Sequence, residues 1–485
     1  MTASPVRHWA SPSLLCSVAL VAAALMVYSQ VRAFSWDEGF HLLTAQLIGR
    51  GRRPYLDFCF SQTPLNAYWN AAWMRVFGDT WHTAQAVAAV MTSLAVLLTA
   101  GYLYRRFPES VWHLPAAITA VCLVGFNIAV FEFGTIGQAY ALCLFLIVSA
   151  FLCTVTVVDR AGPGLSAAAG FLACAAANSS LLTAPVAPVL LLWMLYCNRV
   201  GKRWVKLAAF VAGGAAAFAP LAWLFVQGPR QTIFNVIQYN LLYRERNWSH
   251  ALEHNVAELS AWLDSPQALM LGLLAIAGLL FVWKRSTWER TLRREFYLCG
   301  WLALALMLHI STARPTFTRY YLLAVPFLAI LACAGLYAVG ARLAAPDRPF
   351  WPVLIVCLIS ALSLARALFQ GRDDYSWHDA EKIAAKVSAV TPPHALLLAD
   401  EPIYFVTRHP PAPGMELADS HKLDFPPAVA APLHVVPQAE LDRRIKGGVY
   451  DVIETTEEDE RIDKLGLHRI YPHMAEVGDA HVFWK

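Results

Sequence analysis

Charge is what this sequence has least of. Only 15% of its 485 residues are Asp, Glu, Lys or Arg, 58% are hydrophobic, and the mean hydropathy is +0.46. A soluble globular domain carries about a quarter charged residues. The shortage excludes a water-soluble enzyme, a disordered chain and a nucleic-acid-binding domain. The ten cysteines sit almost entirely in apolar runs (Cys122, Cys143, Cys174, Cys357), and Cys59 alone lies in a polar loop. They form no disulfide framework and no CxxC metal pattern, so they read as small buried hydrophobes. Acidic residues are scarce only up to Leu368. That stretch holds 14 Asp/Glu against 26 Lys/Arg, whereas the segment from Phe369 onward holds 20 against 12. A basic apolar part followed by an acidic tail divides the chain into residues 1–368, within the membrane, and 369–485, a soluble unit.

Long hydrophobic runs are what the sequence does have. A bilayer-spanning helix needs about 20 mostly apolar residues. Such runs cover Ser11–Gln30, His82–Tyr104, Val111–Val130, Gln138–Val158, Leu165–Ala177, Leu181–Asn198, Leu207–Val226, Pro266–Trp283, Phe296–Ile310, Tyr320–Val339 and Phe350–Leu368. They predict a polytopic α-helical membrane protein of about 11 transmembrane helices. Alternate connectors carry Arg105-Arg106, then Arg199, Lys202, Arg203 and Lys206, then Lys284, Arg285, Arg290, Arg293 and Arg294, then Arg342 and Arg348. The intervening connectors Phe131–Gly137 and Asn178–Ser180 hold no Lys or Arg. The positive-inside rule places the basic connectors and the N-terminus in the cytoplasm, and an odd number of spans places the tail outside. The apolar core of the first run is too long for a cleaved signal peptide and reads as an uncleaved anchor.

Two of the outward connectors are long. In the first, Arg32 to Trp81, Trp36, Phe40, Leu43 and Leu47 recur at helical spacing. After Thr63-Pro64, a helix start, so do Leu65, Trp69, Trp73 and Phe77. Both segments are expected to be amphipathic helices lying in the membrane interface. The second long connector, Gln227 to Asp264, is aromatic and polar. In the tail, helices at His378–Ala389, Pro402–Val406 and Ala439–Lys446 alternate with strands at Ala395–Ala399, His434–Val436, Tyr450–Glu454 and His481–Trp484. That alternation predicts a small α/β domain. It contains no GxGxxG or P-loop, and Gly447-Gly448 caps a helix before a strand.

Chemistry centres on Trp36-Asp37-Glu38-Gly39-Phe40-His41, two adjacent carboxylates just after a membrane helix. Ionisable groups at a membrane boundary are costly and tend to be functional. The pair also suits a helix N-terminus, where negative charge is stabilised by about 0.3–1 kcal/mol, and the two roles are compatible.

The run WDEGFHLLTAQLIGRGRRPYLDFCFSQTPLNAYWNAAW resembles the first external loop of the GT-C glycosyltransferases. The similarity is to the branch of protein O-mannosyltransferases and lipid A aminoarabinose transferases. It covers residues 11–110, and the rest agrees in topology. It implies transfer of a sugar from a polyprenyl-phosphate to an acceptor (lipid, glycan or protein hydroxyl) outside the cytoplasm. Such a reaction must take a proton from the attacking hydroxyl and hold the charge of the departing phosphate. The resemblance gives the first task to Asp37, as general base of an inverting transfer, with Glu38 supporting it or contacting the acceptor.

For the second task it points to Arg314 and Arg319 in RPTFTRYY. Arg319 is preferred because it adjoins Tyr320-Tyr321, although both arginines also suit an ordinary aromatic belt. Arg244 and Arg246, flanked by Tyr239, Tyr243 and Trp248, are further phosphate-binding candidates or simply solvated loop residues. Family members often carry a second acid near the start of the fourth span. Here Gln138 occupies that place, with Glu132 six residues earlier.

His41 follows Asp37 by one helical turn. The two offer a divalent metal ion only a pair of ligands, too few for a closed site, and a hydrogen-bonding or interfacial histidine explains the residue better. Asp57 and Gln62 are further polar groups of the same presumed cleft, although Asp57 also suits a turn. No cofactor motif is present. The competing class is a transporter or flippase of lipid-linked glycans, which would favour inverted repeats and charges within the spans. No repeated half is visible, and the acids lie at the outer face. A bacterial inner membrane is expected, since no retrieval signal ends the chain.

Overall fold

The computed structural model describes residues 11–159, 162–197, 203–247, 250–284, 288–313, 315–343, 348–456 and 459–485. Four helices open the chain: α1 (Pro12–Val31), α2 (Trp36–Gly49), α3 (Leu65–Phe77) and α4 (Trp81–Arg106). Six helical stretches are long and apolar enough to cross a membrane. They are α1, α4, Tyr140–Val157, Pro266–Lys284, Thr318–Gly340 and the helix starting at Phe350. Arg203–Ala217 and Ala219–Gln227 make a seventh if counted together. They meet at a 52° bend, where Pro220 removes a backbone donor. The chain is thus an integral, multi-pass membrane protein. The other four runs also fall on helices. Ser110–Gly125 and Leu181–Cys197 are apolar but shorter. Pro163–Ser179 has 17 residues, and Arg290–Ser311 begins with Arg290, Arg293, Arg294 and Glu295.

Small residues set the closest helix crossings. Side chains at Gly170 and Gly213 would run into backbone of the facing helix, and Gly278 and Gly335 do the same for another pair. Close backbone approach is the usual means of helix association in lipid, where burial supplies no driving force. α4 ends in Arg105-Arg106, about 39 Å along its axis from Trp81. There Arg106 lies 3.5 Å from Glu295, and Tyr102 donates a 2.9 Å hydrogen bond to the same carboxylate. The connectors after α4 and before Arg290–Ser311 therefore share one end of the bundle. Arg199, Lys202 and Arg285, assigned to the same side from sequence, lie outside the described residues.

At the other end sit α2, α3 and the tail. α3 matches its expected amphipathic pattern with a twist. Asn66, Ala67, Asn70, Ala71 and Met74 face the protein, Trp69 packs at the edge of the core with its ring edge-on to Trp73, and Trp73 stacks on the exposed Phe77. α2 departs from expectation. It is not a helix resting on a membrane surface, because nine consecutive or near-consecutive residues from Glu38 to Leu47 are buried. The reason is the tail, whose helix Glu401–Thr407 packs across it. Gly39 makes that approach feasible, since a Cβ there would stand 2.6 Å from the Pro402 ring. Gly39→Ala is predicted to cost about 1–3 kcal/mol through overpacking, read as a lower melting temperature of the purified full chain, and an unchanged value would contradict this packing.

The tail carries a four-stranded sheet in the order β1 (Leu397–Leu398), β2 (Val452–Thr455), β4 (Ala480–Trp484), β3 (His473–Val477). β1 and β2 are parallel, and the other pairings are antiparallel. The expected strand at His434–Val436 is absent. His434 takes a left-handed conformation and its ring bonds the Leu56 carbonyl at 2.8 Å, so this segment docks on the first connector instead. The β3 strand, missed from sequence, forms a hairpin with β4 through Gly478 at φ +60°. Gly447 and Gly448 do terminate the helix Gln438–Lys446, with Gly448 at φ +62°.

Candidate functional site

The chain folds a cavity of about 320 Å³ at the end where both long connectors meet. α2 contributes Asp37, Phe40 and His41, and the segment leading to α3 adds Ser61, Gln62 and Thr63. Gln138 and Tyr140 come from the start of the Tyr140–Asp159 helix. Asn240, from the second connector, and Tyr320 complete the wall with His309. A concave site with a few converging polar groups is the usual form of a small-molecule pocket.

Asp37 and Arg319, 282 residues apart, meet here. The Arg319 Nη2 donates to the Asp37 carboxylate at 2.6 Å. The guanidinium lies against the Phe317 ring at 4.5 Å and the Phe133 and Tyr320 rings at 5.8 Å, an arrangement that favours a cation. The Tyr140 hydroxyl stands within hydrogen-bonding reach of it. Its Nε is buried with no hydrogen-bond partner. One donor therefore holds Asp37, and the buried Nε–H is left unsatisfied. Arg319 itself borders a second crevice of about 180 Å³, where Glu132 sits, and reaches the 320 Å³ cavity through its bond to Asp37. Burial, and then the charge of Asp374, push the Glu132 carboxyl up to about 7.

Glu38 lies behind the cavity, fully buried. Its Oε1 accepts from the Gly137 N–H at 2.5 Å and from Gln85 Nε2 at 3.2 Å. Its Oε2 accepts from Gln85 Nε2 and from the Trp377 indole, each at 2.9 Å. Of the two roles open to it in the sequence, direct contact with an acceptor does not fit this burial, and support of Asp37 does. His41 lies on the cavity wall, stacked on Phe40 at 4.4 Å and edge-on to Phe60. Burial pushes its pKa down to about 3, so the ring is neutral, and its Nδ1 has no hydrogen-bond partner. Among the described residues no three His, Cys, Asp or Glu side chains converge as metal ligands, so Asp37 and His41 remain a pair.

The remaining candidates divide. Gln62 and Gln138 line the cavity, and Gln138 donates to Ser35 Oγ at 3.1 Å. Asp57 belongs elsewhere. It pairs with Arg53 at 2.9 Å and accepts from the Arg53 N–H, and these bonds hold its carboxyl below the usual range. It is the turn residue, not a cleft group. Tyr239 is buried between Phe234 and Tyr243 in the contact with the tail, which removes it from the cleft. Arg314 lies outside the described residues, as do the side chains of Arg244 and Arg246, whose backbone is in the helix Tyr239–Asn247.

Sequence reasoning missed Asn240, Tyr140 and His309. Asn240 stands one position from Tyr239, and a helix turns neighbours about 100° apart, so it faces the cavity as Tyr239 faces away. Its Nδ2 donates to the Ser61 carbonyl at 3.0 Å. A π-helical turn over Phe234–Gln238 precedes it, a feature frequent at functional sites.

No protein-family model and no curated protein matches the sequence. Solved structures do. ArnT from Cupriavidus metallidurans, in the apo state and bound to undecaprenyl phosphate, superposes with TM-scores of 0.68 and 0.67 at 16% identity, covering 97% of both chains. The archaeal oligosaccharyltransferase AglB from Archaeoglobus fulgidus, in complex with an inhibitory peptide and a dolichol-phosphate, gives 0.51 at 15% identity, covering 83% of this chain and 60% of that one. At such identities the shared property is the architecture, and this chain has the GT-C fold.

Proposed function

We propose that the protein is a membrane glycosyltransferase that moves a sugar from a polyprenyl-phosphate donor to a hydroxyl acceptor outside the cytoplasm. The observation that carries this reading is the Asp37–Arg319 ion pair, in which Asp37 lines the cavity and Arg319 borders the neighbouring crevice. It joins a carboxylate suited to proton removal with a guanidinium suited to a phosphate. The likeness to ArnT and AglB, whose structures hold undecaprenyl phosphate and dolichol-phosphate, supports the donor class.

The donor phosphate meets the Arg319 guanidinium, and a planar guanidinium offers a phosphate two parallel donors. As the phosphate draws the guanidinium, Asp37 is released from its ion pair. It then accepts the proton of the acceptor hydroxyl as that oxygen attacks the anomeric carbon from the face opposite the phosphate. The bond from the anomeric carbon to the phosphate oxygen breaks with both electrons on the phosphate, and the configuration inverts. Ser61, Gln62, Thr63, Gln138 and Asn240 offer hydrogen bonds to sugar hydroxyls, and the neutral His41 ring offers one more.

In this reading about 11 helices span the membrane, the basic connectors and the N-terminus are cytoplasmic, and the cavity opens to the outer side of a bacterial inner membrane. Residues 1–368 form the catalytic part and 369–485 an outward unit folded onto it. The test is turnover of a radiolabelled polyprenyl-phosphate sugar by purified protein in nanodiscs with membrane lipid extract as acceptor. Label should move to acceptor with wild type and not with Asp37→Asn. Equal transfer by both would overturn the assignment.

A further inference from the structure

Glu38 neighbours Asp37 yet faces away from the cavity, and each of its partners is an N–H donor. Gly137 belongs to the turn before Gln138, Gln85 to α4, and Trp377 to the first helix of the tail, Trp377–Val390. Four donor contacts on two oxygens describe a carboxylate, which accepts at both atoms, and leave no acceptor for an acid proton. The Gly137 turn is fixed from its other side as well, since Asn70 and Asn66 donate to its carbonyl at 2.6 and 3.1 Å. A Cβ on Gly137 would stand 2.8 Å from Leu42 and 3.1 Å from Glu38, so glycine is what lets the turn close on the carboxylate.

The tail reaches this point by a built interface. Trp377 is buried, stacked on Trp81 at 5.8 Å and edge-on to Phe34 and Phe405. Trp81 Nε1 donates to Glu381 at 2.9 Å, and Gln46 donates to the Phe405 carbonyl at 3.2 Å. Arg52 pairs with Glu416 at 2.9 Å. α2 is thus gripped by the tail along its whole length, and the residues on both sides of Asp37 take part, Trp36 stacked on Tyr375 at 4.7 Å and Glu38 bonded to Trp377.

We infer that Glu38 is a positioning residue, a buried anion through which the docked tail fixes the first turn of α2 and hence the place of Asp37 relative to Arg319 and the Gln138 side of the cavity. The tail is in this sense a part of the active site that never touches substrate. The inference rests on the glycosyl-transfer reading for its catalytic consequence, but not for the coupling itself.

Two variants of the full chain in nanodiscs test it. Trp377→Phe keeps an aromatic ring and removes one N–H. Glu38→Gln keeps the shape but sets its own NH₂ against N–H donors on one side or the other. Hydrogen–deuterium exchange of peptides spanning residues 35–42 and 134–140 is expected to quicken by about tenfold in both, as for loss of one hydrogen bond to a charged group, with β2 protection unchanged. In transfer assays kcat should fall by about tenfold with donor KM within about twofold. Burial sets Glu38 at about 7, partly offset by the Trp377 bond. Losing that bond raises its pKa further, so the acid limb of kcat should move to higher pH in Trp377→Phe. Unchanged exchange at 35–42 in both variants would overturn the coupling whatever the activity. Changed exchange with unchanged kcat would overturn the positioning role. A wild-type chain with no transfer at all, but with quickened exchange in the variants, would keep the coupling and count against the function.

Discussion

Asp37→Asn is expected to lower sugar transfer by about a thousandfold, the scale of removing a positioned general base, while leaving donor affinity and the fold nearly intact. The separation follows from geometry. The Asp37 side chain is 46% exposed at the cavity, so its charge is not buried in the folded core. An Asn carbonyl still accepts from Arg319, and the N-cap residue of α2, Ser35, is left in place. What disappears is the capacity to take a proton. Asp37→Glu keeps that capacity but displaces the oxygens by a methylene and should recover only part of the rate. Single-turnover kinetics with preloaded donor read this directly. A variant that binds donor normally and transfers at more than a tenth of the wild-type rate would remove Asp37 from the chemistry.

The second large effect belongs to Arg319. Arg319→Gln should weaken donor binding by about 100-fold, since hydrogen bonds to a charged group contribute about 1.5–3 kcal/mol each and a guanidinium makes two to a phosphate. Arg319→Lys keeps the charge without the planar fork and should fall between the two. Arg319→Gln also removes the cation that holds the charge of the departing phosphate, so the single-turnover rate at saturation should fall together with donor affinity. Affinity for an undecaprenyl-phosphate analogue, measured by microscale thermophoresis, separates the cases. Unchanged affinity in Arg319→Gln would place the phosphate elsewhere.

Hydropathy made the membrane class and nearly all the long helices legible, because lipid enforces helices wherever the chain is apolar. The bend at Phe218 was not, although Pro220 marks it, and neither was the break between His113–Gly125 and Ile128–Phe133, where Asn127 caps the second helix. Asp37, Gln62, Gln138, His41 and Arg319 stood out through their position at membrane boundaries and through family resemblance, and the fold brings the first four to one cavity with Arg319 paired to Asp37. The error at Tyr239 was one of helical phase, as Asn240 beside it faces the cavity. Asp57 was misplaced because a nearby Arg53 satisfies it locally, which spacing does not reveal. The burial of α2 was hidden for a different reason. Its cover comes from a tail more than 300 residues later, and only Gly39, against Pro402, marks the approach in the sequence.

The most direct measurement is a structure of this chain with a non-transferable polyprenyl-phosphate sugar analogue. The reading predicts phosphate oxygens within about 3 Å of the Arg319 guanidinium, the sugar in the cavity with His41 and Asn240, and Asp37 on the opposite face of the anomeric carbon. A headgroup bound away from Arg319, or a sugar whose open face is turned from Asp37, would contradict it.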